Sequence, residues 1–223
     1  MKRQVSIEEI WDGRFYGAND MVKAGCDDCK GCSDCCRGMG TSIILDPLDV
    51  HRLKTGLKIS FEGLMNGRLE LNVVDGIILP NLCQAGQQEA CTFLNPEGRC
   101  SIHSFRPGVC RLFPLGRYYE EHGFRYFLQA NECKKEPKTK VKVKKWLDTP
   151  ELKRYEEFVN DWHYFLESLE NLIADLEQEA LVKKINLYVL NSFYVTDFET
   201  GRDFYEQFYE RLSAAKQAVG IAG

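Results

Sequence analysis

Five cysteines fall within eleven residues of this chain, in the run Cys26-Asp27-Asp28-Cys29-Lys30-Gly31-Cys32-Ser33-Asp34-Cys35-Cys36. Two residues separate each successive cysteine until the final adjacent pair. Two intervening residues make a tight turn, so neighbouring thiolates converge on a common centre. Four-cysteine zinc sites and iron–sulfur sites both use this spacing. Gly25, Gly31, Gly38 and Gly40 lie in and around the run, and glycine at that density gives the looping backbone that a chain wrapping a metal requires.

The remaining cysteines, Cys83, Cys91, Cys100, Cys110 and Cys133, are spread out, and the last ninety residues contain none. A chain of 223 residues buries enough core to fold without disulfide staples. Its opening residues carry no apolar stretch followed by a small-residue cleavage site, so no secretory signal is expected. No segment approaches the roughly 20 apolar residues of a membrane helix. A cytoplasmic protein with no membrane partner is the expectation. Thiols stay reduced in that compartment, and ten cysteines there read as metal ligands or redox thiols before they read as disulfides. The net charge of −4 argues against nucleic acid as the partner.

The predicted fold class is α+β: a small loop-rich, metal-centred cysteine domain with short strands and hairpins over 1–135, then a helical C-terminal region over 136–223. Ser6-Ile7-Glu8-Glu9 is a capping-box pattern that opens a short helix. Thr41–Leu45 reads as a strand. Asp46-Pro47 starts a helix that stops near Gly56. Leu71–Leu79 is a hairpin around Asp75-Gly76, and Leu115–Leu128 is a second one turning at His122-Gly123. Lys134–Lys145 holds seven lysines and reads as a solvated linker, although the interleaved Val141 and Val143, with Trp146 beyond, also suit an amphipathic segment leaning on the core. After Thr149-Pro150-Glu151, Tyr155, Phe158, Val159, Trp162, Phe165, Leu166, Leu169, Leu172 and Ile173 recur at helical spacing as a core stripe. Further helices are expected near Glu179–Phe193 and Gly201–Val219.

The second half of the cysteine set sits in recognisable surroundings: Cys91-Thr92-Phe93-Leu94, Cys100-Ser101-Ile102-His103, and Arg106-Pro107-Gly108-Val109-Cys110-Arg111-Leu112-Phe113-Pro114. With the C-x2-C-x2-C-C run before them, these segments resemble the YkgJ-type cysteine-cluster family of zinc- or iron-chelating proteins, related to flagellin lysine N-methylases. The resemblance covers about residues 25–135. It implies Cys29, Cys32, Cys35, Cys36, Cys91, Cys100, Cys110 and Cys133 as metal ligands; Cys26 and Cys83 are additional to the family pattern. It also leans towards iron–sulfur over zinc.

From the residues themselves, many sulfurs and few histidines favour iron–sulfur or all-thiolate zinc over a catalytic zinc. The eight thiolates that the resemblance implies would satisfy two four-cysteine sites, so one or two [4Fe-4S]-type clusters are expected, with zinc as the alternative. In an extended backbone the adjacent Cys35 and Cys36 would point to opposite sides, serving two centres or leaving one of them to pack. Arg106 and Arg111 would offset the negative charge of a thiolate cluster and tune its potential; ordinary salt bridges are the alternative. His103 reads as a packing or hydrogen-bonding neighbour of the cluster.

Three function classes compete: a metal-cluster carrier or redox module, a protein lysine N-methylase with S-adenosylmethionine as methyl donor, and a structural zinc protein whose helical part binds a protein partner. No conventional methyltransferase motif is present. In a C-x3-C-x2-C pattern starting at Cys32 and Cys36, the third position is Met39. Gly38-Met39-Gly40 follows a cysteine and precedes a strand, where a dinucleotide-type turn would need a strand before it and a helix after it.

Overall fold

The computed structural model describes residues 6–121 and 123–221; His122, expected at the turn of the second hairpin, lies outside them. The elements run α1 (Ile7–Ile10), β1 (Trp11–Tyr16), β2 (Met21–Gly25), α2 (Pro47–Leu57), α3 (Phe61–Met65), β3 (Leu69–Val74), β4 (Ile77–Leu82), β5 (Gln84–Ala85) and β6 (Ala90–Cys91). Then follow α4 (Gly108–Leu112), β7 (Leu115–Glu120), β8 (Gly123–Gln129), β9 (Thr139–Lys142), α5 (Val143–Leu147), α6 (Leu152–Ala174), α7 (Glu179–Leu190) and α8 (Phe204–Val219). This is the expected α+β class, with short antiparallel sheets and a helical C-terminal part. Two units interleave along the sequence. One comprises Lys2–Ile43 with Gln84–Tyr155, the other Ile44–Cys83 with Glu156–Gly223.

The first unit holds every cysteine except Cys83. Its three-stranded antiparallel sheet has the order β1-β8-β7, and the expected β7–β8 hairpin is in continuous register from Leu115↔Leu128 to Glu120↔Gly123. A separate ribbon pairs β2 with β9 through Met21↔Lys142, Val22↔Val141 and Gly25↔Thr139. The lysine run is therefore not a free linker. Val143 is buried and Val141 packs against the core made by Val22, Ala24, Leu112, Leu115, Tyr126 and Leu147, while Lys140, Lys142 and Lys144 face solvent. Alternation with period two is what a half-buried strand requires. Gly25 lets the ribbon close tightly at its end: a Cβ there would stand 2.3 Å from Thr139 Oγ1 and 3.1 Å from the Thr139 carbonyl oxygen.

The second unit begins with α2, whose capping box is made by Asp46 and Asp49. The Asp46 carboxylate accepts from the Asp49 N–H at 2.8 Å, and the Asp49 carboxylate accepts from the Asp46 N–H at 3.3 Å. The β3–β4 hairpin turns through Asp75 and Gly76 with φ of 50° and 82°, the left-handed pair a two-residue hairpin turn uses. Buried Asn186 on α7 completes that turn: its Oδ1 accepts from the Ile78 N–H at 2.6 Å, and its Nδ2 donates to the Gly76 carbonyl at 3.0 Å. The strand expected at Thr41–Leu45 is reduced to one bridge, Ile44↔Asn81. Leu45 donates to the Pro80 carbonyl at 2.9 Å, but proline has no N–H to return, and Asp46 already caps the next helix.

The stripe on α6 packs as expected: Phe158, Val159, Trp162, Phe165, Leu166 and Leu169 are buried. Phe158 meets Phe208 of α8 edge-on at 4.6 Å between centroids, and Trp162 meets Phe193 at 4.9 Å. Helix α7 continues into a π-helical turn, Asn191–Val195. Lys54 donates to the carbonyls of Tyr194 and Val195 at 3.2 and 2.9 Å, and Arg211 to those of Ser192 and Thr196 at 2.7 and 2.9 Å. Two cations thus satisfy carbonyls that a helix end leaves without intrahelical partners. Among the described residues no helix is long and apolar enough to cross a membrane.

Candidate metal centre

The cysteine run folds as two 3-10 turns, Asp27–Cys29 and Asp34–Cys36. Each is closed by a backbone bond: the Lys30 N–H to the Asp27 carbonyl at 2.9 Å, and the Cys36 N–H to the Ser33 carbonyl at 2.9 Å. Asp27, Cys29 and Gly31 have φ of 54°, 57° and 68°. These left-handed positions reverse the chain often enough to bring successive thiols to one side.

Cys26, Cys29, Cys32, Cys35 and Cys133 line a single open cleft. Phe113, Pro114 and Trp146 supply its apolar wall, and Asp34, Glu132, Lys134 and Lys135 its charged rim. The loop carrying Cys133 is tied to the run by Lys135, which donates to the Lys30 carbonyl at 2.9 Å. Trp146 is fixed by its indole N–H, which reaches the carbonyls of Leu112 and Phe113 at 3.3 and 3.2 Å. The Cys26 and Cys29 sulfurs are 3.9 Å apart. Among the described residues, no three histidine, cysteine or carboxylate side chains close on a single point tightly enough for one ion.

A second set of cysteines is brought together by backbone pairing outside the cleft. Arg37, next to Cys36, bridges Ala90, next to Cys91, and the Gly38 N–H donates to the Glu89 carbonyl at 3.0 Å. Leu94 bridges Cys100, while its own N–H bonds the Cys91 carbonyl at 2.9 Å. Cys110 sits on α4 and acts electrostatically on Cys35, as Cys36 acts on Cys100.

The adjacent pair does not behave as an extended backbone would make it. Asp34–Cys36 is a 3-10 turn, within which the two sulfurs lie near enough to perturb each other. The interaction pushes the Cys35 thiol up and holds Cys36 down at about 7, where Arg106 and Arg37 also help. Burial, reinforced by Cys26, pushes Cys29 up to about 12. Burial likewise raises Cys100 and Cys133. Crowded thiols that resist ionising one beside another are what a bound cation would reorder, since a coordinating thiol is deprotonated outright.

The two arginines differ. Arg106 faces the sulfurs and favours the thiolate form of Cys29, Cys36 and Cys100; it also donates to Nε2 of His103. Arg111 is buried and spends its guanidinium on backbone carbonyls: Arg106 at 3.3 Å, Asp148 at 3.0 Å, and Ser104. Cys83 belongs to the other unit, where its N–H bonds the Arg68 carbonyl at 2.9 Å and burial, with Glu70, raises its thiol.

Sequence reading missed Arg37, Arg99, Glu132 and Trp146. Arg37 and Arg99 act on Cys36 and Cys100, and each directly adjoins the cysteine it serves, a signal that was available. Glu132 beside Cys133 offered the same signal. Trp146 lies thirteen residues beyond the last cysteine, and nothing local points to the cleft.

A family model named CxxCxxCC, described as "Putative zinc- or iron-chelating domain", matches residues 28–148. No curated protein matches the chain, and no solved structure does.

Proposed function

This chain belongs to the CxxCxxCC family of zinc- or iron-chelating domains, and on that premise we propose that its cysteines carry one or two [4Fe-4S]-type iron–sulfur clusters. The observation that supports a cluster over a single ion is the cleft. Five thiols line it, one more than a single tetrahedral ion takes, and among the described residues no three potential ligands close on one point, an arrangement that suits a polynuclear core held at its corners. The first centre would draw its ligands from Cys26, Cys29, Cys32, Cys35 and Cys133. The second would draw on Cys36, Cys91, Cys100 and Cys110. Cys83 takes no part in this assignment.

When bound, such a cluster supplies one-electron exchange. The chain's own residues do the rest. Arg106 offsets the thiolate charge, Phe113, Pro114 and Trp146 keep one wall of the cleft apolar, and Arg111 fixes the loop that carries Arg106. A redox or cluster-carrying module follows from these roles. A zinc site is the second reading, favoured by one distance: the Cys26–Cys29 separation of 3.9 Å is close to the edge of about 3.8 Å expected for sulfurs tetrahedral about zinc.

Iron, zinc and acid-labile sulfide analysis of anaerobically isolated protein tests the proposal. Iron and sulfide in equal amounts, about four or eight of each per chain, is the expected result. Stoichiometric zinc without sulfide would overturn it in favour of the second reading.

A further inference from the structure

We propose that the outer face of the β2–β9 ribbon is a docking surface for an acidic protein partner that approaches the cysteine cleft. The ribbon's inner face is buried through Val22, Ala24 and Val141. Its outer face carries Met21, Lys23, Lys140 and Lys142, all exposed, with Met21 directly opposite Lys142. Among the described residues, neither Lys23, Lys140 nor Lys142 has an acidic group within ion-pair reach. Three cations are held on a rigid strand pair, whereas a solvated tail would disperse them.

The position matters as much as the charge. At the Gly25↔Thr139 end, β2 runs directly into Cys26, a wall of the cleft. Lys134 and Lys135 on the cleft rim precede β9, and Trp146 on α5 follows it. The segment Lys134–Lys145 carries seven lysines and one glutamate in a chain whose net charge is −4. The charge is therefore strongly polarised towards the mouth of the cleft. Such a field raises the encounter rate with an oppositely charged partner and orients it. A small patch suffices, because redox encounters use interfaces at the low end of the size range.

A protein carboxylate patch fits better than a nucleic acid. Glu136 lies at the edge of the patch, paired with Lys138 at 3.1 Å, and Asp34 and Glu132 line the cleft beside it. A uniformly charged phosphate backbone would meet those carboxylates, whereas a local acidic patch can avoid them. The docking surface stands on its own geometry; only the purpose of docking, exchange with a metal centre, rests on the proposed function.

The test is titration of the full chain with poly-L-glutamate of about 20 residues at low and high salt, beside a single-stranded oligonucleotide of matched charge. Metal content is assayed on every sample, so loss of the metal reading and loss of the docking reading remain separate outcomes. Poly-glutamate is expected to bind in a salt-sensitive manner and more tightly than the oligonucleotide. The Lys23→Gln/Lys140→Gln/Lys142→Gln variant should bind about tenfold more weakly, at roughly half a kcal/mol per charge, with metal content unchanged. Lys58→Gln/Lys183→Gln/Lys184→Gln, equal in charge but elsewhere, should bind as the parent does. Equal losses in both triple variants, tighter binding of the oligonucleotide, or no binding at low salt would each overturn the proposal.

Discussion

The Nε–H of Arg111 donates to the main-chain carbonyl of Arg106 at 3.3 Å, so the arginine that faces the thiols is held in place by the one that does not. Arg111 also bonds the carbonyls of Asp148 and Ser104 while itself buried. Arg111→Met would leave three carbonyls short of a donor. At about 1 kcal/mol for each such bond, the expected loss of stability is about 2–3 kcal/mol, read from the urea midpoint at unchanged slope.

Arg106 acts through its charge, and its replacement has a different signature. Removing a cation near a thiolate-held cluster disfavours the added electron. Arg106→Gln is expected to lower the reduction potential by about 50 mV, equivalent to roughly 1 kcal/mol, with iron content retained. An unchanged potential would place Arg106 among purely structural groups. Arg111→Met, judged where the protein stays folded, should move the potential less than Arg106→Gln does.

Asn186 is the hinge pin of the β3–β4 turn. It is 4 % exposed, accepts from Ile78 and donates to Gly76 and Val182. Asn186→Ala leaves the Ile78 N–H and the Gly76 carbonyl without their side-chain partner, which costs about 1–2 kcal/mol. Hydrogen exchange at Ile78 should accelerate in the variant. Slow exchange there would show that the turn holds without the side chain.

His51 stacks on Phe204 at 5.3 Å and meets Phe198 edge-on at 5.5 Å. Burial, with Lys54 and Arg52 nearby, pulls its pKa below the usual imidazole value. The unfolded chain therefore binds a proton that the folded chain resists, so stability falls as pH falls through and below the unfolded value of about 6.5. His51→Gln should show a shallower loss of stability than the parent between pH 7 and pH 5. Parallel curves would mean that His51 makes no contribution to the pH dependence.

Much of the fold was legible where one short segment carries its own signal. Asp46-Pro47 capped a helix, Asp75-Gly76 turned a hairpin, and the aromatic stripe from Phe158 to Leu169 went inside. The failures were non-local. Thr41–Leu45 has strand composition, but its neighbour on β4 offers a proline where a ladder needs a donor. Lys134–Lys145 read as a linker because seven charges outweighed a period-two alternation of lysine and valine that only β2 makes meaningful. At the candidate centre, the C-x2-C spacing drew attention to the run, while the extended backbone assumed at Cys35 and Cys36 is a 3-10 turn over Asp34–Cys36. The gathering of Cys133 with the run depends on a tether from Lys135 to Lys30, which spacing does not encode.

X-ray absorption at the iron and zinc edges of one anaerobic sample, beside its Cys29→Ser variant, tests the central claim most directly. The account expects an all-sulfur shell around iron with a second shell of iron, and about half of that iron lost in the variant if two centres are filled. Zinc bound by sulfur with no iron, or iron bound by oxygen and nitrogen and unaffected by Cys29→Ser, would contradict it.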